Sequence, residues 1–90
     1  MQSVRFTSHL LRFFPDLEQE RLQAGTVAEL VAVLDERHPG LGAYLLDENG
    51  ALRPHVNIFI GKQPVRDRRG LADGLEPDAE VYVLQALSGG

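Results

Sequence analysis

The feature that most constrains this chain is a single, strongly patterned helix. Thr26 and Glu29 stand three residues apart, as the N-cap and N3 residues of a capping box do. Apolar residues follow at the spacing of one helical face, and they are Val27, Leu30, Val31 and Leu34. Pro39 and Gly40 then end the pattern. We therefore predict a helix over Val27–Arg37, and its apolar face requires a second layer of structure to cover it.

Segments rich in β-forming residues flank the helix and predict the strands of a sheet. The alternation of apolar and polar side chains over residues 3–10 predicts the first strand. A second, exposed strand over residues 18–23 would form a hairpin with it. The third strand is predicted over residues 55–60, a short strand near residues 63–65 and the last strand over residues 80–86. The sheet would therefore contain four or five strands.

The order of these elements is typical of an α+β domain, in which one helix lies across one mixed sheet. The chain has 90 residues, which is the size of one domain, and 43% of them are hydrophobic, which argues against disorder. A short turn of helix or an irregular connection is expected over residues 41–46, and a turn over residues 47–50. Leu71 and Leu75 are expected to anchor the charged loop over residues 66–78.

The composition excludes several classes of function. The chain has no cysteine, which excludes disulfides, thiolate metal sites and cysteine nucleophiles. Its formal net charge of −4 argues against nucleic acid as a partner. The apolar runs are far shorter than a membrane span, and the first ten residues lack the pattern of a secretory leader. We therefore expect a cytoplasmic protein with neither nucleic acid nor a membrane as its partner.

Three short patterns resemble ligand motifs without meeting their requirements. Gly61 and Lys62 lack both the upstream glycine and the following Ser or Thr of a phosphate-binding loop. The segment over residues 47–50 starts like a calcium loop, but its twelfth position is Ile58, where a bidentate Glu is needed. The three histidines have no HxxxH or HxH spacing. We therefore expect no bound metal and no bound cofactor.

The sequence finishes in VYVLQALSGG, with Gly89 and Gly90 as its last two residues. Glycine-rich ends also occur as frayed termini without function, so the pair needs support from the rest of the chain. Glycine has no Cβ, which permits close approach of the backbone to another molecule and unusual φ and ψ angles. Ser88 is small as well. We therefore expect a folded domain over residues 1–86 followed by a flexible tail over residues 87–90.

The chain resembles a known family in the segments VNIFIGKQPV and VYVLQALSGG, which follow a strand hairpin and one helix. It is similar to the MoaD/ThiS family of ubiquitin-like sulfur carriers, and the resemblance covers essentially the whole chain. The phrase RPHVNIFI is particularly similar to the carriers that feed sulfur into amino-acid biosynthesis. The resemblance implies a ubiquitin-like β-grasp fold.

The resemblance also implies a reaction at the last residue. In this family an ATP-dependent, ubiquitin-activating-like enzyme adenylates the terminal glycine, and sulfur then replaces the leaving group to give a thiocarboxylate. The match places that group on Gly90, with Gly89 as the residue that threads into the partner. Such a carrier is a cosubstrate and not an enzyme, is monomeric when free, and passes its sulfur to an accepting enzyme that makes cysteine, thiamine, molybdopterin or a similar product. ATP would belong to the partner.

Three apolar residues fall on strand faces opposite the predicted core, namely Phe59, Tyr82 and Leu84. They are either scattered surface residues, which are common, or a docking patch for the activating enzyme on the open face of the sheet. We predict the docking patch. Leu87 and Ser88 are also expected to contact the partner, with Leu87 packed on the wall of its channel.

Two other functions remain open from the sequence. The same fold could serve as an interaction module that works by surface contact alone, or as a modifier whose terminus is conjugated to lysines of other proteins. The cluster of Arg66, Arg68 and Arg69 is expected to be a solvated turn, with steering toward an acidic partner surface as the alternative.

Overall fold

The computed structural model describes residues 1–85, with the side chain of His9 excepted. Five strands form one sheet, and they are β1 (Gln2–Phe6), β2 (Glu20–Leu22), β3 (Val56–Ile60), β4 (Gln63–Pro64) and β5 (Glu80–Gln85). Three helices accompany them, and they are α1 (Ser8–Leu11), α2 (Val27–Arg37) and α3 (Leu41–Leu45). The predicted α+β architecture, with one main helix across a mixed sheet, is confirmed.

The strand order β2-β1-β5-β3-β4 places the last strand in the centre of the sheet. β5 runs parallel to β1, where Val4 lies opposite Val81, and antiparallel to β3, where Ile58 lies opposite Val83. β2 and β4 extend the sheet as antiparallel edge strands. A tight turn at Gly61, with φ of 62°, joins β3 to β4, and this left-handed conformation favours glycine.

One face of the sheet and the apolar face of α2 form the core. The apolar face of α2 is buried throughout, and it consists of Val27, Leu30, Val31 and Leu34. The sheet contributes alternate residues from its three longest strands, namely Val4, Val56, Ile58, Val81 and Val83. Each such side chain contributes about 1.5–3 kcal/mol when it is fully buried. The spacing that predicted the helix therefore also marks the residues that hold the two layers together.

The start of α2 is capped by side chains, as the sequence predicts. The N–H of Glu29 donates to Oγ1 of Thr26 at 3.2 Å. The Glu29 carboxylate accepts a hydrogen bond from the N–H of Gly25 at 2.8 Å, one residue before the N-cap. Together they resemble a capping box, except that the Glu29 carboxylate accepts from the residue before the N-cap and not from the N-cap itself.

The predicted strand over residues 3–10 is wrong beyond Phe6. The alternation continues in the sequence, but the chain turns into α1, where Leu10 is fully buried. A short apolar run does not distinguish a strand from a helix by its period alone. The second strand is also shorter than predicted, and it is not wholly exposed, since Leu22 belongs to the core.

Further expectations for the connections hold. Within residues 41–46 the predicted turn of helix is α3 (Leu41–Leu45), whose Leu41 and Leu45 are fully buried. Asp47 closes the following turn by accepting a hydrogen bond from the N–H of Asn49 at 2.8 Å. Leu71 is buried and anchors the charged loop. Ala86, predicted as the end of the last strand, lies outside the described residues.

Candidate functional site

The last strand, β5, lies in the centre of the sheet and ends at Gln85. Gln85 is the last described residue, and it is paired with Val56 of β3 on one side. The predicted tail begins two residues later, at Leu87. Four of the predicted site residues therefore lie outside the described residues, and they are Leu87, Ser88, Gly89 and Gly90.

The face of the sheet that points away from α2 carries the three predicted docking residues. Phe59 lies directly opposite Tyr82 in the pairing of β3 with β5. Leu84 follows Tyr82 on the same face and lies opposite Asn57. All of these side chains are half-buried. We name this surface the open sheet face; the structure brings the three residues together there, and their role in docking stays a prediction.

Cationic side chains flank the apolar centre of the open sheet face. Arg5 of β1 lies beside Tyr82, and its Nη1 donates to the tyrosine hydroxyl at 3.3 Å. The guanidinium carbon is 5.8 Å from the centroid of the ring, within the range of a cation–π contact. Arg21 of β2 lies opposite Ser3 on the same face. Glu80 of β5 also lies opposite Ser3 and adds one carboxylate to the face. The face is thus more basic than the acidic chain as a whole.

A shallow depression of about 450 Å³ lies at the end of the open sheet face, beside the last described residues of β5. Its lining includes Phe59 and Leu84 from the docking patch, His55 and Asn57 from the start of β3, and Arg68 from the charged loop. An apolar wall and a basic wall therefore meet beside Gln85, which also lines the depression.

The expectation that Arg68 belongs to a solvated turn is wrong. Its Nη2 donates to the carbonyl of Val56 at 2.7 Å and to that of Arg53 at 2.9 Å, and the side chain is half-buried. Arg66 and Arg69 are exposed, as expected. The acceptors of Arg68 lie 12 and 15 residues away in the sequence, so no local pattern could have identified it.

Two carboxylates shape the loop that presents Arg68. Asp67 accepts backbone hydrogen bonds at 2.9 to 3.2 Å from the N–H groups of Arg69, Gly70 and Ala72. The bond from Gly70, followed by that from Ala72, lowers the pKa of Asp67 below its ordinary value. Asp73 accepts from the N–H groups of Asp67 and Arg66, and these bonds lower its pKa too. The loop is thereby held with Leu71 at a φ of 54°, unusual for a residue with a side chain.

On the helical side of the sheet, Gln85 contacts α3. Its Nε2 donates to the hydroxyl of Tyr44 at 2.9 Å. The ring of Tyr44 packs edge-on against Phe14, with centroids 5.6 Å apart, and lies 5.3 Å from the ring of Phe13. Sequence reasoning missed this contact, since 41 residues separate the two partners and no sequence pattern links them.

Within residues 1–85, no three His, Cys, Asp or Glu side chains are grouped so that they could hold a metal ion. None of the three helices in that part of the chain has the length and apolar character to cross a membrane.

Comparison with known proteins identifies the family. The model of the ThiS family matches residues 4–90, which is nearly the whole chain. The chain belongs to the ThiS family. The membership predicted from VNIFIGKQPV and VYVLQALSGG is therefore confirmed.

Two curated relatives of this ThiS-family chain are similar over most of its length. The sulfur carrier protein CysO of Mycobacterium tuberculosis is 30% identical over 67 residues, which cover 72% of each chain. Small archaeal modifier protein 3 of Haloferax volcanii is 31% identical over 65 residues, which cover 72% of this chain and 70% of that protein.

A solved structure shows the same fold. A chain in the crystal structure of the Amycolatopsis orientalis BexX/CysO complex superposes with a TM-score of 0.85, with 23% identity and complete coverage of both chains. At that identity the likeness establishes the fold alone. The ubiquitin-like β-grasp fold predicted for this ThiS-family chain is confirmed.

Proposed function

We propose that this protein is a sulfur carrier whose C-terminal glycine, Gly90, is adenylated by a partner enzyme and converted to a thiocarboxylate that donates sulfur in a biosynthetic pathway. The observation that carries the proposal is the match to the ThiS family, because it runs to residue 90 and so includes both glycines. The relatives named sulfur carrier protein CysO support the same role. The resemblance of RPHVNIFI favours the branch that feeds amino-acid biosynthesis.

The proposed reaction activates a carboxylate that is by itself a poor electrophile. The Gly90 carboxylate attacks the α-phosphate of ATP in the partner's active site, and pyrophosphate leaves. A sulfide donor then attacks the acyl adenylate, the C–O bond to AMP breaks, and a C–S bond forms. The product thiocarboxylate is a soft nucleophile that transfers its sulfur to the substrate of an accepting enzyme.

Both terminal glycines suit this chemistry. The reacting carbon has to reach a nucleotide inside another protein, and glycine at position 89 permits close backbone approach along the way. An alanine at position 90 would put a methyl group beside the reacting carbon. Misplacement by about 1 Å is enough to cost roughly 10²-fold in rate. We therefore propose a flexible tail over residues 87–90, in which Gly89 threads and Gly90 reacts.

The open sheet face is the proposed docking surface for the adenylating enzyme. Its centre consists of Phe59, Tyr82 and Leu84, and aromatic residues are enriched where protein interfaces gain most of their energy. Arg5 and Arg68 flank that centre. Charge complementarity therefore calls for a partner surface with an apolar centre and an acidic rim.

Beyond that face, the small side chain of Ser88 and the apolar side chain of Leu87 would contact the wall of the partner's channel. In this proposal the domain is an inert scaffold and not an enzyme, since the nucleotide site and the acid–base groups belong to the partner. The free carrier is monomeric and cytoplasmic, binds neither cofactor nor metal, and has no nucleic acid or membrane partner. Its two partners are the adenylating enzyme and the sulfur-accepting enzyme.

Intact-mass spectrometry of the protein purified from its own host tests the reaction. The expected result is a mass gain equal to the replacement of one oxygen by one sulfur, which disappears on alkaline hydrolysis. Deletion of Gly90 should abolish ATP–pyrophosphate exchange by the partner and leave thermal unfolding unchanged. Undiminished exchange by the truncated chain would refute the proposal, and loss of the fold would refute the separation of scaffold from tail.

A second candidate function is protein modification, because one relative of equal similarity is named small archaeal modifier protein 3. In that case the activated Gly90 carboxylate forms an isopeptide bond with a lysine amine. Conjugates of higher mass would then appear in cell extract and be absent for the chain without Gly90. A pure interaction module, by contrast, would be indifferent to any block of the terminus.

A further inference from the structure

The strand that carries the tail is held at its last described residue by groups outside the regular ladder. The N–H of Thr7 donates to the carbonyl of Val83 at 3.2 Å, one residue beyond the end of β1. The N–H of Gln85 then donates to Oγ1 of Thr7 at 3.4 Å. The threonine hydroxyl thus takes the place of the next backbone acceptor, so β5 is supported on both edges up to Gln85.

The side chain of Gln85 provides a second attachment. It leaves the sheet on the helical side and donates through Nε2 to the hydroxyl of Tyr44 at 2.9 Å. Tyr44 is itself immobilised, because its helix α3 buries Leu41 and Leu45 and its ring packs edge-on against Phe14. The end of β5 is therefore tied to two elements that lie far from it in the sequence.

Stability alone does not account for a glutamine at this position. Its Oε1 is buried and accepts no hydrogen bond from the described residues. A buried acceptor without a donor lowers the free energy of unfolding by more than one hydrogen bond between neutral groups raises it. Methionine has a similar length and would fill the same space without that cost. The amide is explained if its hydrogen bond to Tyr44 serves to orient the C-terminal end of β5.

We propose that Thr7, Tyr44 and Gln85 form a clamp that positions the start of the tail for the reaction at Gly90. This inference rests on the proposed adenylation. Residue 90 is five residues beyond Gln85, and a chain of that length reaches at most about 17 Å. A fixed starting point confines the reacting carboxylate to a smaller volume and raises its effective concentration at the partner's nucleotide. A loosened clamp adds freely moving chain before the glycines.

The clamp and the docking surface affect different kinetic constants. The partner is proposed to bind the open sheet face, and Thr7 and Gln85 border the depression at the end of that face. Tyr44, however, lies on α3, on the helical side of the sheet, so Tyr44→Phe changes the clamp without touching the proposed docking surface. Loss of the clamp should therefore lower kcat and leave KM nearly unchanged. Loss of a docking contact should raise KM instead.

Two variants remove the clamp with little change of shape, and a third is their matched control. Tyr44→Phe removes only the hydroxyl, and Gln85→Met removes only the amide. Tyr82→Phe removes a hydroxyl from the open sheet face, where it accepts from Arg5. Each variant is assayed by ATP–pyrophosphate exchange with the adenylating enzyme of the same host, over a range of carrier concentrations, and by thermal unfolding.

Tyr44→Phe and Gln85→Met each remove one such hydrogen bond. We therefore expect each variant to lower kcat roughly three- to tenfold and to keep KM within about twofold of the original value. The thermal midpoint of Gln85→Met should stay equal or rise. Tyr82→Phe should raise KM. The double variant should lose no more than the larger single effect, because both changes break the same contact. Thr7→Val should behave like Gln85→Met, and Thr7→Ser should restore kcat.

The outcomes separate this inference from the proposed function. If the original chain is adenylated and both clamp variants match it in kcat, the clamp is refuted and the carrier role stands. If the original chain is not adenylated, the proposed function fails. The clamp is then tested separately, by backbone ¹⁵N relaxation of the free protein. The clamp predicts that order at the Gln85 amide falls in Tyr44→Phe and stays unchanged in Tyr82→Phe. Equal order in all three proteins would refute it.

Discussion

The two faces of the sheet differ in what their residues contribute. Toward α2, the side chains of Ile58, Val81 and Val83 are buried in the hydrophobic core, so that face supplies stability. On the open sheet face the intervening residues Phe59 and Tyr82 stay half-buried, next to arginines. The same two strands thus supply packing with one set of residues, and the next set forms the surface that we propose for recognition of the partner. A substitution at a core-facing position of these strands should therefore lower stability, whereas a substitution at the next position should weaken binding of the partner.

The largest effect is expected for Ile58→Ala, which leaves a cavity between the sheet and α2. Removal of a buried Ile side chain costs about 2–5 kcal/mol of unfolding free energy. Urea unfolding at constant pH measures this loss. The adjacent variant Phe59→Ala is the matched control, and equal losses for the two would break the distinction between the faces.

The next largest effect is expected for Arg68→Ala, which removes the side-chain donor that the carbonyls of Arg53 and Val56 share. The Arg53 carbonyl keeps only its hydrogen bond from the N–H of Val56. We expect a loss of about 1–3 kcal/mol, also measured by urea unfolding. Arg69→Ala removes an exposed neighbour of equal charge and should stay within about 0.5 kcal/mol of the original value. Similar small changes for both variants would show that Arg68 does not hold the rim of the depression.

Phe59→Ala should have its main effect on the partner and not on the fold. Truncation of a central aromatic at an interface costs about 1–2 kcal/mol of binding, so KM for adenylation should rise roughly tenfold with kcat retained. Val33→Ala, on α2 and away from the open sheet face, is the comparison variant. An unchanged KM for Phe59→Ala would remove the open sheet face as the docking surface.

The smallest effect is a dependence on pH that is confined to the loop of Asp67 and Asp73. Backbone hydrogen bonds hold the pKa of each carboxylate below its ordinary value of 3.8. Their contribution to stability is therefore complete above about pH 3.8 and is lost as the pH falls through the lower values of the folded state. The amide chemical shift of Gly70 should follow this titration. It should stop doing so in Asp67→Asn and continue in Asp78→Asn.

Much of the fold could be predicted because its signals are local. The helix α2 follows from its cap and its apolar spacing, and the alternation within β3 and β5 assigned the two faces correctly. The strand over residues 3–10 was wrong because the same alternation continued into α1, where burial of Leu10 decides the conformation. The roles predicted for Gly89 and Gly90 stay predictions, since both residues lie outside the described part of the chain.

The amino-acid sequence by itself determined the main helix and its core residues, the succession of most strands along the chain, the two faces of β3 and β5, and the family to which the chain belongs. The helix and the strand faces depend on the spacing of neighbouring side chains, which a linear sequence displays directly. The family was identified from the resemblance of VNIFIGKQPV and VYVLQALSGG and from the match to the ThiS family. Only the tertiary structure revealed the buried contacts of Arg68 and the attachment of Gln85 to Tyr44. The physical reason is that a hydrogen bond depends on where its acceptor lies in space, and these acceptors come from segments 12 and 41 residues away.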